Sequence, residues 1–299
     1  NTYAGRSHND LNQYPVFPWV LADYTSAHLD LNDPASYRDL SKPMGAQTAA
    51  RAEEYRRRYD EWEDASGQVP AFHYGTHYSS AAVVCSFLLR LQPYSALHRA
   101  LQDGRFDLPD RLFHSLAEEW RLASGERGHD TGCVKELVPE LFYMREATLN
   151  INGLELGTRQ DGTTVAHVQL PRWSRGSAWR FANCMRQAIE SPIASRSLPS
   201  WLDLVFGYKQ QGEAAAAALN VFYYSTYRMD LNTVDPEQHA ALLSQIQNFG
   251  QTPERLWRDR PHPKRSLAAT LNTMRPMPLL MSLSSEKLDV ARHGHSGAH

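Results

Sequence analysis

Two histidines four residues apart, His73 and His77 in the phrase FHYGTHYS, come nearest in type and spacing to a chemical motif in this chain. On a helix that spacing aims both imidazoles at one metal ion, as in zinc hydrolases. Such an enzyme also needs a glutamate directly after the first histidine as general base. That position is Tyr74, and Gly75 weakens any helix between the two. With no third ligand close by in sequence, the pair predicts no bound zinc. The competing reading has Gly75 turn the chain and both histidines bond to backbone or carboxylate. Ser79 then caps a helix that buries Val83, Val84, Phe87 and Leu88.

Carboxylates offer a second route to chemistry. Asp10, Asp23, Asp39, Asp110, Glu136, Glu140 and Asp203 could supply an acid/base pair, but a helical chain with 33 acids always contains such candidates. Pairing with arginine is the expectation. Lys135 and Lys209 sit beside apolar residues, where a buried ion pair is commoner than a lysine of lowered pKa. GxSxG, GxGxxG and a Walker loop are absent, which removes the commonest signatures of serine hydrolases, dinucleotide enzymes and P-loop NTPases. A hydrolase or metal enzyme would have to bring His73, His77, Asp110 and Glu136 into one cleft.

The elements that must position these residues are set by the whole chain. Its 299 residues and 42% hydrophobic content suffice for a substantial core. The net charge of -2 gives no global attraction to nucleic acid or anionic lipid. Five lysines stand against 26 arginines, the cation suited to bidentate pairs and protein interfaces. Three cysteines, Cys85, Cys133 and Cys184, contain no CxxC and cannot all pair, which suggests a reducing compartment. The polar opening NTYAGRSHND predicts no secretion, and no apolar run approaches the roughly 20 residues of a membrane span.

The first forty residues, with Pro15, Pro18, Pro34 and Pro43 breaking any long helix, read as extended irregular chain carrying Val16, Phe17, Trp19 and Leu21 inward. Between Met44 and Asp64 an amphipathic helix follows, with Ala52, Tyr55, Tyr59 and Trp62 on one face and Arg56 to Arg58 in solvent. Further helices are expected over Ser79–Leu91, Tyr94–Gln102, Phe113–Ala123 and Pro139–Asn150. The pattern returns in Ala178, Ala182, Met185 and Ile189, in Leu198–Phe206 and Glu213–Leu219, and in Leu242, Ile246 and Phe249. Asp161-Gly162 between Leu156 and Val165 predicts a short hairpin. No internal repeat is visible. After Pro261 periodicity fades, so residues 264 to 299 are expected to be a disordered tail or to be held by a neighbour.

Seven phrases in order, AGRSHNDLNQYPVFPWVLADY, YRDLSKPMG, FHYGTHYS, GRFDLPDRLFHS, VKELVPELFY, LPSWLDLVFGYKQQGEAAAAALNVFYYSTY and NFGQTPERL, resemble the BEACH (Beige and Chediak-Higashi) domain, with wording nearest neurobeachin and its relatives. The resemblance covers residues 3 to 262. It departs at residues 123 to 133, which match no phrase, and at MREATLN, where the family carries proline. It implies a mainly α fold whose core includes irregular extended segments, with a small β element, spanning residues 1 to 263 and beginning inside the family's opening phrase. It also implies no catalytic activity and no cofactor.

Such domains belong to very large cytoplasmic scaffolds of vesicle and membrane traffic, in lysosome-related organelles, autophagy or receptor delivery. An upstream PH-like domain and downstream WD repeats accompany them. The partners implied are that PH-like domain and trafficking proteins, at the periphery of endomembranes, with no nucleic acid. Within this reading His73, Tyr74, His77 and Tyr78 form a buried polar network. Arg6, Asn9, Asp10, Gln13 and Tyr14, polar groups crowded beside the Val16–Leu21 run, are candidates for the surface that docks the PH-like domain. Trp19, Trp201, Leu204 and Phe206 are expected in the core.

Overall fold

Aspartates shape the first forty residues more than prolines do. The carboxylates of Asp10, Asp23, Asp30, Asp33 and Asp39 each accept the backbone N–H two residues on, from Asn12, Thr25, Asn32, Ala35 and Ser41. Each forms an Asx-turn, which lets the chain reverse without a helix or sheet. In this computed structural model, residues 1–67, 69–126, 132–227, 236–264 and 266 are described. Chain contacts group Asn1–His262 into one unit and Pro263–His299 into another. The expected tail lies almost wholly outside the described residues.

The first unit is mainly helical. Its α-helices are α1 (Ala49–Asp60), α2 (Ala81–Phe87), α3 (Tyr94–Ala100), α4 (Leu116–Ser124), α5 (Glu140–Tyr143), α6 (Ala178–Glu190), α7 (Pro192–Val205), α8 (Glu213–Ala217) and α9 (Pro236–Phe249). Five have a hydroxyl cap: Thr48, Ser80, Ser115, Ser177 and Ser191 each accept the N–H three residues on, satisfying a donor the first turn leaves unpaired.

Several boundaries differ from the sequence expectation. Ser80, not Ser79, caps α2: the Ser80 hydroxyl accepts the Val83 N–H at 3.2 Å, while the Ser79 hydroxyl accepts from Arg6 at 3.3 Å. The segment expected as one helix from Pro139 to Asn150 is the single turn α5 followed by a 3-10 turn, Arg145–Thr148. α7 begins six residues before Leu198, since Ser191 caps it and Pro192 takes the first position, where a missing N–H costs nothing. Pro199 is carried inside it. Phe249, expected on the apolar face of α9, is 45% exposed, while Leu242 and Ile246 are buried. The Asp161-Gly162 turn forms, but its hairpin amounts to one antiparallel bridge, Thr158 to Thr164.

Extended chain lies inside the molecule, stitched by single bridges rather than sheets. Phe17 pairs with Leu137, Leu21 with Tyr37, Tyr74 with Phe222 and Ser115 with Gln169. Tyr14, Val16, Trp19, Val20 and Leu21 are fully buried. The Trp19 ring meets Tyr24 and Trp120 edge-on, with centroids 5.2 and 5.7 Å away. Trp201, Leu204 and Phe206 of α7 and its C-cap are buried as well.

Candidate functional site

Irregular chain in a core leaves backbone carbonyls without the partners a helix or sheet would supply. Arginine answers this, because its planar guanidinium carries five donors that can reach several segments at once. Arg38 is the centre of one such group. Its Nη1 donates to both Glu136 oxygens, at 2.8 and 2.6 Å, and its Nη2 to the Lys42 carbonyl at 3.1 Å. The Glu136 carboxylate also accepts the Trp19 backbone N–H at 3.0 Å and the Trp201 indole N–H at 2.9 Å. Four segments far apart in sequence therefore meet at one buried ion pair, sealed on both sides.

Three more arginines fasten backbone carbonyls. Arg6 is fully buried and donates to the Tyr14 carbonyl at 2.5 Å, the Ser79 hydroxyl at 3.3 Å and the Gln251 carbonyl. Arg51 reaches the Ala123 and Cys133 carbonyls at 2.7 and 2.5 Å, tying α1 to the end of α4 and to the segment beyond. Arg90 holds the Phe113 and Ala166 carbonyls at 2.7 and 2.8 Å, and burial lowers its pKa to about 10.

The His73–Tyr78 segment threads between α1 and the chain around Phe222. His73 and Tyr74 both donate their backbone N–H to the Val221 carbonyl. The His73 ring stacks on Tyr59 at 4.4 Å, and its Nδ1 accepts the Val221 N–H at 3.1 Å. Burial lowers its pKa to about 4, helped by Arg56 and Arg58. His77 packs against Tyr78 and Phe222, and burial, then Arg6, holds it well below the usual histidine range. Tyr74 and Tyr78 are pushed up by burial, which the Arg6 guanidinium beside Tyr78 opposes there. The four residues are thus neutral and pack through their rings.

Close backbone approach fixes this segment in place. A Cβ at Gly45 would lie 2.1 Å from the Tyr74 ring, so only glycine fits there. Gly250 has φ +88°, and a Cβ would lie 2.1 Å from the Ser79 carbonyl. The cavity between Tyr74, Tyr78, Glu136 and Trp201 has a volume of about 10 Å³, far below the several hundred that a small-molecule site needs.

The opening phrase is divided between interior and surface. Arg6 and Tyr14 are buried and Gln13 half-buried, while Asn9 and Asp10 are exposed. The Tyr14 hydroxyl donates to Glu140 at 2.5 Å and lies 2.8 Å from the Tyr94 hydroxyl; burial and these contacts raise its pKa strongly. Gln13 donates to the Gln251 side chain and the Thr252 carbonyl, both at 3.2 Å. Asp10 holds its turn.

The residues a catalytic cleft would need have separate engagements. Glu136 is taken by Arg38 and the two tryptophans. Exposed Asp110 accepts the Gln160 N–H at 3.1 Å, and each histidine Nδ1 already serves the backbone. Asp203 is occupied by the Trp257 indole N–H and the His262 N–H. Lys135 pairs with Glu119 at 2.6 Å. Among the described residues no group of three or more His, Cys, Asp or Glu side chains is arranged to hold a metal ion. None of the described helices is long and apolar enough to cross a membrane.

Arg38 was not visible as a key residue in sequence. It is one arginine among 26, in chain without periodicity, and its partner lies 98 residues away. The exposed side of α6, with Trp179, Arg180 and Arg186, carries no motif, and its only signal in sequence is that it complements the apolar positions Ala178, Ala182 and Met185.

The described residues thus form a mainly helical unit whose irregular core segments are fastened by buried arginines. The Beige/BEACH domain family model matches residues 1–265, and the chain belongs to that family. It is 51% identical over 268 residues to BEACH domain-containing protein A2 of Arabidopsis thaliana, covering 89% of this chain and 8% of that protein. It is 48% identical over 270 residues to Beige protein homolog 1 of Schizosaccharomyces pombe, covering 89% and 10%. With WD repeat- and FYVE domain-containing protein 4 of Homo sapiens, identity is 49% over 272 residues, covering 90% and 8%. The chain spans a tenth or less of the length of these curated relatives.

Proposed function

We propose that this chain is a non-catalytic interaction scaffold within a large BEACH-family protein of vesicle and membrane traffic. It acts in the cytoplasm at the periphery of endomembranes, and a PH-like domain upstream docks against the face carrying its opening phrase. The observation that supports the scaffold reading most directly is the engagement of Glu136. The best-placed buried carboxylate is bound by Arg38, the Trp19 N–H and the Trp201 indole, with none of its oxygens left for a substrate. The length of the relatives and the WD repeat and FYVE wording in one of their names fit a module within a multidomain chain.

The docking part of the reading narrows to the exposed members of the phrase. Asn9 and Asp10 face solvent, with His8 beside them at 61% side-chain exposure, whereas Arg6 and Tyr14 hold the interior. Replacing Asp10 with alanine removes an acceptor for two exposed N–H groups, which costs about 1 kcal/mol of stability. Docking predicts a larger effect on association. Calorimetric titration of a separately produced PH-like domain should show Asp10→Ala weakened by roughly 1–3 kcal/mol in a folded variant. Unchanged affinity would exclude the phrase as a docking surface and leave Asp10 as the tie of a turn.

A further inference from the structure

The sequence of α6 makes it amphipathic to an unusual degree of contrast. Ala178, Phe181, Ala182, Met185 and Ala188 are buried, where α6 packs against α5 and α7. The opposite side presents Trp179, 60% exposed, together with exposed Arg180 and Arg186. Beside it the chain leaving α5 exposes Tyr143 at 55% and Met144 at 42%. The tryptophan and the tyrosine line one cleft, with the methionine next in chain, so their apolar area is left in water together.

Two clefts flank this side of α6 and share Asn183 as a wall. One, of about 260 Å³, lies between Trp179 and Tyr143, with Phe142 and Ala182 at its floor and Arg145 and Arg186 at its rim. The other, of about 330 Å³, is bordered by Arg175, Arg180 and His28. Charge is lopsided here although the whole chain carries a net charge of -2. The Glu146 carboxylate is held by Arg145 at 2.9 Å. Among the described residues Arg175, Arg180 and Arg186 make no ion pair, and the Arg186 guanidinium donates only to the Asn183 side chain at 3.0 Å. Glu190, one turn further along α6, is exposed and equally unpaired.

We propose that this face binds an acidic polypeptide segment with one large apolar side chain, which enters the cleft between Trp179 and Tyr143 while its carboxylates meet Arg175, Arg180 and Arg186. Charge complementarity selects the partner: planar guanidinium forks match carboxylates bidentately, and Trp, Tyr, Met and Arg are the side chains enriched where proteins meet. A lipid surface is the poorer fit. Anionic membranes are met by lysine and arginine clusters on open faces, whereas this face is cleft and none of the described lysines lines it. The inference concerns a different surface from the opening phrase and stands whether or not a PH-like domain docks there.

The test is selection from a displayed random-peptide library on the 299-residue chain, with counter-selection on a variant carrying Trp179→Ala, Arg180→Glu and Arg186→Glu. All three side chains are exposed, and matching thermal melts of the two proteins confirm that the variant is folded. Enriched peptides should be acidic with a single aromatic or leucine anchor. By fluorescence anisotropy they should bind the triple variant at least about tenfold more weakly, and Trp179→Ala alone should remove much of that binding. Replacing their acids with the corresponding amides should abolish binding. The proposal is overturned by no enrichment, by enriched peptides without acidic character, or by equal binding to the variant. It is overturned equally if Trp179→Ala abolishes a concentration-dependent dimer of the chain, or if phosphatidylserine vesicles but no peptides discriminate the two proteins.

Discussion

Trp201 and Trp179 carry the same indole, and Arg38 and Arg186 the same guanidinium, yet the two pairs occupy opposite worlds. In the interior, Trp201 is 3% exposed and gives its N–H to Glu136, both of whose oxygens accept from Arg38. On α6, Trp179 is 60% exposed, and Arg186 meets only a neighbouring amide. The comparison separates two uses of one chemistry. Inside, aromatic and arginine side chains replace the hydrogen bonds that irregular backbone forgoes. Outside, the same side chains have unsatisfied capacity and are available to another chain.

The largest expected effect lies at the interior pair. Arg38→Ala strands a buried carboxylate and should cost on the order of 3–5 kcal/mol, a large fraction of the roughly 5–15 kcal/mol that stabilises an ordinary domain. A double variant, Arg38→Met with Glu136→Gln, removes the stranded charge while keeping a carbonyl acceptor for the tryptophan donors. It should lose less than Arg38→Ala alone, as read by urea denaturation. A double variant no better than the single would show that the bonds to the Lys42 carbonyl and the tryptophans, not the charge pair, dominate the site.

A second difference between interior and surface is readable in pH. His73 is neutral when folded, with a pKa of about 4 set by burial and by Arg56 and Arg58, against about 6.5 in the unfolded chain. His77 is shifted in the same direction by burial and Arg6. The unfolded state therefore takes up protons first. The contribution of these histidines is fully present above about pH 6.5 and is lost progressively as pH falls toward 4, with His73 alone accounting for roughly 3 kcal/mol at that end. His73→Asn removes the titrating group, so wild type should lose stability relative to this variant on acidification. Parallel profiles for the two proteins would mean that His73 titrates as freely as in the unfolded chain.

Much of the helical part was legible in sequence because period and caps agreed. α6 runs over the apolar positions Ala178, Ala182 and Met185 and starts at a serine cap. What escaped was decided by contacts distant in sequence. Two adjacent serines suit the cap of α2 equally well, and in the structure the Ser79 hydroxyl is engaged by Arg6, 73 positions away, while Ser80 caps. The first half of α7 was obscured by Pro199, which tertiary packing carries within the helix. The site was less legible than the fold. The family phrases point to the segments that meet at Glu136, but that Arg38 is the residue joining them depends on a contact across 98 positions that no local pattern encodes.

The smallest expected effect belongs to the α6 face, where an exposed substitution should change stability by no more than about 0.5 kcal/mol. Urea denaturation of Trp201→Ala beside Trp179→Ala therefore tests most directly whether the interior chemistry holds this fold and the α6 chemistry is left for a partner. The account predicts a loss on the order of 3–5 kcal/mol for Trp201→Ala and no measurable loss for Trp179→Ala. Comparable losses in the two variants, or a larger one at Trp179, would contradict it.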